Sequence, residues 1–244
     1  MGGPLVWRLA EVVEVVRETP GAVTLILDVP GWPGHWAGQH ADLRLTAEDG
    51  YQAQRSYSIA SPPEDGRLAL TVERIEDGEV SPFLTDELRA GDRFELRGPI
   101  GGHFVWSAGE GPLRLVAGGS GMVPLMAMLR HRAAAGSEEP ATLLYSARSQ
   151  DDVLYCEELG RLAEAESGPR VVYTLTRERP PGWTGYERRV DDTMLAEVFG
   201  APGPEATAFV CGPTRFVETA ADALVALGHE PARVKTERFG PTGG

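Results

Sequence analysis

The sequence predicts two packed units, an antiparallel β-barrel over residues 1–108 and an α/β unit with a parallel sheet over residues 109–244. Three observations lead there. Residues 6 to about 107 carry short runs rich in Val, Ile, Leu and Thr, separated by turn signals, the pattern of a small antiparallel barrel. After "SAGEGPL" (Ser107–Leu113) apolar runs alternate with helical patterns, which implies a parallel sheet with helices on both faces. The 244 residues suffice for one large domain or two of ordinary size.

In the first unit six runs read as strands: "LAEVVEVVRE", "AVTLILDVP", "HADLRLT", "RSYSIAS", "RLALTVERI" and "DRFELRGPI". Pro-Gly, Glu-Asp-Gly and Ala-Gly-Asp segments between them supply the turns. The first run, in "WRLAEVVEVV", reads as an edge strand and not as an amphipathic membrane helix. A helix is expected over Ser81–Gly91, "SPFLTDELRAG", with Ser81 as its N-cap and Gly91 just past its end.

In the second unit "LRLVAG" precedes the helical "MVPLMAMLRHRAAAG", and "ATLLYSA" precedes "DVLYCEELGRLAEAE". "RVVYTLT" precedes "RVDDTMLAEVFG", "ATAFVCG" precedes "TRFVETAADALVALG", and "RVKTERF" is a last strand. A short linker implies that the two units pack tightly, with a ligand crevice between them.

Composition narrows the function. The formal net charge is −13, which disfavours nucleic acid and anionic membrane surfaces as partners. Two cysteines, Cys156 and Cys211, make neither a disulfide framework nor a zinc or iron–sulfur ligand set. The five histidines show no metal-ligand spacing, so no metal is expected. No signal peptide or apolar span of membrane length is apparent, and a cytoplasmic protein is the expectation.

Chemistry concentrates in "QAQRSYSIAS", Gln52–Ser61. Side chains two apart share one face of a strand. Arg55 and Tyr57 therefore share one face, and Ser56 and Ser58 the other. Taken alone, Tyr57 is a core ring and Arg55 a surface charge. On a barrel strand followed by an α/β unit, R-x-Y-S resembles the ferredoxin–NADP⁺ reductase superfamily. The resemblance implies that Arg55 pairs with a flavin diphosphate, Tyr57 stacks on the isoalloxazine, and the Ser58 hydroxyl bonds near flavin N5. A planar guanidinium fork suits phosphate, and an aromatic face suits a flat ring. One cofactor carrying both groups accounts for Arg55 and Tyr57 standing side by side, with Ser56 in the same segment.

The resemblance continues in order. "LTVERIEDGEVSPFL" matches the superfamily's second flavin segment and adds Val72, Arg74, Gly78, Glu79, Val80 and Ser81, with backbone N–H groups at a helix start to hold the diphosphate. "GPIGGHF" (Gly98–Phe104) is similar to a structural G-P-x-G-x-F turn with one extra residue. "LVAGGSGMVPLM" carries the pyridine-nucleotide loop in Gly119, Ser120 and Gly121, with Pro124 in the first turn of a helix starting near Val123. Glycines let the backbone approach a pyrophosphate.

Ser146 and Arg148 in "YSARSQDDVLYCEEL" stand where NAD-preferring enzymes carry an acidic residue. They favour NADPH over NADH, with Tyr155 packing on the adenine. Asp151 and Asp152 nearby, and Glu73 where some relatives carry a Lys, speak the other way. "FVCGPTRFV" resembles C-G-P-x-x-F/M, which places Cys211 beside nicotinamide C4 with Gly212 and Pro213 shaping the turn. Cys211 is not expected to be a covalent nucleophile. Glu237 and Phe239 fall where relatives keep a Glu near the proton path to N5 and an aromatic over the flavin. The five residues after Phe239 are either a disordered end or part of the adenine site.

The resemblance covers about Leu5 to Phe239. It implies an FAD-dependent enzyme, with FMN the less expected flavin, whose catalytic residues are Ser58, Cys211 and Glu237. A nicotinamide nucleotide donates hydride, and electrons pass on to a separate acceptor such as a ferredoxin, a flavodoxin, or an oxygenase or molybdoenzyme centre. A monomer is expected. The chain lacks the cysteines of a fused plant-type iron–sulfur domain. The rival reading is a non-enzymatic binding module or an electron-transfer subunit of a larger redox complex.

Overall fold

A computed structural model describes residues 5–201, 203 and 205–240. The barrel is formed by β1 (Trp7–Thr19), β2 (Ala22–Asp28), β3 (His40–Thr46), β4 (Gln52–Ser58), β5 (Leu68–Glu73) and β6 (Arg93–Ile100). They lie in the order β4-β3-β6-β1-β2-β5, every pair antiparallel. An isolated bridge from Ile59 to Leu70 joins the two outer strands and closes the sheet. Ala10, Val12, Leu25, Leu43, Leu70 and Leu96 are inward-facing members of one core, as the two-residue period of the strands requires.

Two expectations change here. β1 is not an edge strand. It lies between β6 and β2, with register shifts between Val12 and Glu14 and between Arg17 and Thr19 that let one long strand serve both partners. Its polar residues reflect a solvated outer barrel face, not a free edge.

The helix expected over Ser81–Gly91 is only a short turn, ending in a π-type segment over Phe83–Glu87. Leu88 is already extended, and Gly91, at φ +93°, turns the chain into β6. The Ser81 hydroxyl accepts from the Ile75 amide at 3.0 Å and so closes the preceding loop instead of capping the helix.

The second sheet contains β7 (Leu113–Gly118), β8 (Ala141–Ala147), β9 (Arg170–Leu175), β10 (Thr207–Pro213) and β11 (Val234–Phe239). Their order is β11-β10-β7-β8-β9, all parallel. The helices are α1 (Met122–Ala134), α2 (Cys156–Glu164), α3 (Asp192–Phe199) and α4 (Thr214–Ala226). Strand order reverses between β7 and β10, the switch point where open α/β sheets bind ligands at their C-terminal ends.

The first two turns of α1 are apolar on every side, with Met122 through Leu129 buried. The helix is enclosed by the sheet and by the barrel alanines Ala22, Ala37, Ala60 and Ala69, which share its core cluster. The helical pattern around Asp152 starts late. Tyr155 adopts φ +58° and α2 begins only at Cys156.

Candidate functional site

The C-terminal ends of β10 and β11 meet the barrel where β4 ends. Antiparallel pairing sets His40 opposite Ser58, and the His40 Nδ1 lies 3.6 Å from Glu237 Oε1 on β11. Parallel register places Cys211 beside Glu237 on one side and Ala117 on the other. Ser58, Cys211 and Glu237, which are distant in the chain, thus border one seam between the domains, with Phe239 two residues along β11 and partly buried against the shared core.

The seam has definite electrostatics. Cys211 is 1% exposed; burial first, and the nearby Glu237 charge second, push its thiol well above its ordinary range. It stays protonated, so it acts as a shape-filling neutral group and not as a thiolate. Glu237 Oε2 is buried with no hydrogen-bond donor, an acceptor that a proton-bearing group would satisfy. Tyr57 packs against the barrel core, and desolvation pushes its phenol up to about 12, so it remains neutral.

The glycine loop closes over the same place. A Cβ on Gly121 would stand 2.1 Å from the Cys211 carbonyl oxygen, so only glycine lets the loop lie on the end of β10. Gly119 has φ +56°, and the space its side chain would enter is open. Ser120 is half-buried, and Pro124 is buried in the first turn of α1. Gly212 is buried and Pro213 exposed.

Arg55 stands farther along β4. Its guanidinium donates to Glu79 Oε2 at 2.9 Å and to the Gln54 carbonyl at 2.7 Å. Glu79 also accepts from the Tyr51 hydroxyl at 2.5 Å. Gly78 and Ser81 form the turn beside it, and Arg74 pairs with Asp86 at 3.0 Å. The exposed guanidinium on the ledge that leads to the seam fits a dinucleotide-type flavin carrying a diphosphate, and the open glycine loop on the facing domain fits the pyrophosphate of a second dinucleotide.

Some expected contacts fall elsewhere. Val72 and Val80 put their side chains in the barrel core, 0% and 1% exposed, because both occupy inward positions. The Ser56 hydroxyl donates to Asp42 Oδ1 at 2.7 Å, and Arg97 binds the other oxygen of that carboxylate at 2.6 Å. Tyr155 is 3% exposed and its hydroxyl donates to Thr71 of β5 at 2.5 Å. It sits between the domains, where no adenine can stack on it. Ser146 is registered with Gly118 at the end of β8. Arg148 is exposed and makes no ion pair among the described residues. Of the five residues after Phe239 that read in sequence as either a disordered end or part of the adenine site, residues 241–244 lie outside the described residues.

Sequence reasoning passed over two residues. His40 was weighed only for metal spacing, and its place opposite Ser58 depends on strand register. Arg177, whose amide donates to the Arg148 carbonyl at 2.8 Å, brings a second guanidinium-bearing residue to the end of β8.

Comparison with known proteins agrees with the two-domain fold. An oxidoreductase FAD-binding domain model matches residues 24–106, and an oxidoreductase NAD-binding domain model matches residues 115–222. The chain is 32% identical over 214 residues to NADH-cytochrome b5 reductase 1 of Aspergillus terreus, covering 84% of this chain and 71% of that protein. It is 38% identical over 162 residues to methane monooxygenase component C of Methylosinus trichosporium, covering 66% of this chain and 46% of that one. The chain therefore spans about half the length of that relative. Among solved structures, an Amycolatopsis cytochrome P450 reductase superposes with a TM-score of 0.84 at 29% identity, over 98% of this chain and 71% of that one. The FAD/NAD-binding domain of a Vibrio cholerae nitric oxide dioxygenase gives 0.84 at 25% identity, over 96% and 99%.

Proposed function

Because the chain belongs to the ferredoxin–NADP⁺ reductase superfamily of FAD- and NAD-binding oxidoreductases, we propose that it takes hydride from a reduced nicotinamide nucleotide onto FAD and passes the electrons singly to a separate protein acceptor. The observation that carries this reading is the convergence of Ser58, Cys211 and Glu237 on one seam at the switch point. FAD, when bound, supplies the exchange between a two-electron donor and a one-electron acceptor.

The chain's own residues do the rest. Arg55 grips the diphosphate, with the turn from Gly78 to Ser81 beside it, and Tyr57 packs the flat ring. Ser58 offers a hydroxyl at the reacting edge. Gly119, Ser120 and Gly121 hold the nucleotide pyrophosphate at the start of α1, while Gly212 and Pro213 shape the facing turn. Cys211 fills the space against the nicotinamide and fixes its approach. Phe239 covers the face that the nicotinamide must reach. Glu237, with His40 beside it, holds or releases a proton at the seam. Ser146, Arg148 and Arg177 favour a 2′-phosphate, hence NADPH.

The boundary between the domains is placed at Ala108–Gly109. The acceptor is a ferredoxin, a flavodoxin, or an oxygenase or molybdoenzyme centre. Relatives named as the electron transfer component of toluate 1,2-dioxygenase and the reductase component of the naphthalene 1,2-dioxygenase system support that class. The protein works as a monomer in the cytoplasm, where reduced nicotinamide is supplied. Among the described residues no helix is long and apolar enough to cross a membrane.

The test is direct. FAD-loaded protein is expected to be yellow and to bleach on anaerobic addition of NADPH. A colourless protein that FAD does not reconstitute would instead mark a binding module that kept the fold and lost the chemistry.

A further inference from the structure

Tyr155 is the one non-glycine residue with positive φ among the described residues, at +58°. An L side chain stays in that region only where its surroundings over-determine it. Here they do. The Arg130 guanidinium lies 4.9 Å from the ring centroid, and the hydroxyl reaches Thr71 Oγ1 on β5 at 2.5 Å. Thr71 in turn lies 2.7 Å from Thr24 Oγ1 on β2, and Thr24 lies 2.6 Å from the Glu18 carboxylate on β1. Tyr155, Thr71 and Thr24 are 3%, 5% and 3% exposed.

The proton count gives this chain one direction. The Glu18 carboxylate only accepts, so Thr24 spends its single proton there and must accept from Thr71. Thr71 then has no proton left for Tyr155 and accepts from it. Every hydroxyl is satisfied once, from the nucleotide domain along the outer face of the barrel, where Thr71 and Thr24 alternate with the inward Leu70 and Leu25, to a carboxylate on β1.

A second tie runs beside the first. Arg130 of α1 donates to the Ala60 carbonyl at 2.8 Å and binds Glu158 of α2 through two bonds of 2.8 and 2.6 Å. Ala60 follows Ser58 by two residues, and Thr71 precedes Val72 in the second flavin segment. On the other domain, α1 begins at the nucleotide loop. Both ties therefore link the barrel segments that flank the flavin site to the helices that carry the nucleotide site.

We propose that Tyr155 is a positioning residue for hydride transfer: its hydroxyl, through Thr71 and Thr24 to Glu18, sets how the nucleotide domain seats on the flavin domain and hence the approach of nicotinamide to flavin. This rests on the hydride-transfer reading above. Transfer rates fall steeply with small misplacements of the reacting atoms, so a lost tie is felt at the chemical step before it is felt in nucleotide affinity.

The experiment compares Tyr155→Phe, Thr71→Val and Thr71→Ser with the wild type. In FAD-loaded protein, anaerobic reduction at saturating NADPH is expected to slow by about 10-fold or more in Tyr155→Phe and Thr71→Val. Nucleotide dissociation constants should stay within about 2-fold, since uniform binding is untouched. The long-wavelength absorbance of stacked nicotinamide and flavin weakens in the same two variants. Thr71→Ser, which keeps the hydroxyl chain, restores the wild-type rate and absorbance. In FAD-free protein, hydrogen exchange over Leu70–Glu73 and Val153–Leu159 quickens in Tyr155→Phe and Thr71→Val but not in Thr71→Ser.

Wild-type saturating rates in Tyr155→Phe and Thr71→Val overturn the proposal. So does a Thr71→Ser protein as slow as Thr71→Val. If Tyr155→Phe does not fold, the two Thr71 variants decide. A wild type that neither NADPH nor NADH reduces overturns the functional reading and the positioning role with it, while the exchange data still report whether the tie exists.

Discussion

His40 and Glu237 face each other at 3.6 Å across the seam between the barrel and the parallel sheet. They come from opposite ends of the chain, and His40 is also the cross-strand partner of Ser58. Glu237→Gln keeps the shape but replaces one carboxylate oxygen with an amide nitrogen. Turnover is expected to fall by about 10²-fold, the usual scale for losing a positioned proton group, with FAD retained. Steady-state rates across pH check it, and a wild-type profile in Glu237→Gln counts against the role.

Arg55→Ala removes the exposed guanidinium that Glu79 holds on the flavin ledge. A desolvated diphosphate loses a charged partner, which costs on the order of 2–4 kcal/mol of FAD affinity. Flavin retained through gel filtration as in the wild type would contradict this.

Arg148→Glu replaces a guanidinium that makes no ion pair among the described residues with a repulsive carboxylate. The ratio of kcat/KM for NADPH to that for NADH should drop by about 10-fold or more. A wild type that already prefers NADH would refute the assignment of Ser146 and Arg148.

The two cysteines should differ in reactivity. Cys156 is exposed and Cys211 buried, and burial holds the Cys211 thiol protonated. Alkylation followed by mass spectrometry is expected to label Cys156 alone in folded protein. Cys211→Ala should slow anaerobic flavin reduction while leaving FAD bound, because alignment is lost and affinity is not. Phe239→Ser should tighten nucleotide binding, since the nicotinamide no longer has to displace a ring.

His229 makes stability depend on pH. It is 3% exposed, with Nε2 3.1 Å from Arg114 and Nδ1 unpartnered. Burial, and then the Arg114 charge, lower its pKa from 6.5 to about 4. Between those values the unfolded chain binds the proton and the folded one does not. Its contribution is therefore complete above about pH 6.5 and is lost as pH falls toward 4, by on the order of 2–3 kcal/mol. Urea unfolding at a series of pH values should show the loss in the wild type and a flatter profile in His229→Gln.

Much of the fold and part of the site were legible because they are local. Strand periods, turn residues and the change to strand–helix alternation are properties of neighbouring residues, and they marked both units. R-x-Y-S, the glycine loop and C-G-P are motifs of a few consecutive positions, so Arg55, Gly119 and Cys211 stand out as site candidates without a structure. Tyr155 was misread because its neighbours in sequence, Ser146 and Arg148, suggested a nucleotide contact. Its partner Thr71 belongs to the other domain.

By itself the sequence determined two units of different grammar and the order of the motifs. Tertiary structure decided that β1 is central, that His40 stands between Ser58 and Glu237, and that Tyr155 is a tie between domains. Those facts depend on strand register and on contacts between residues far apart in the chain. Such pairings follow from packing the whole core, and no local period or spacing records them.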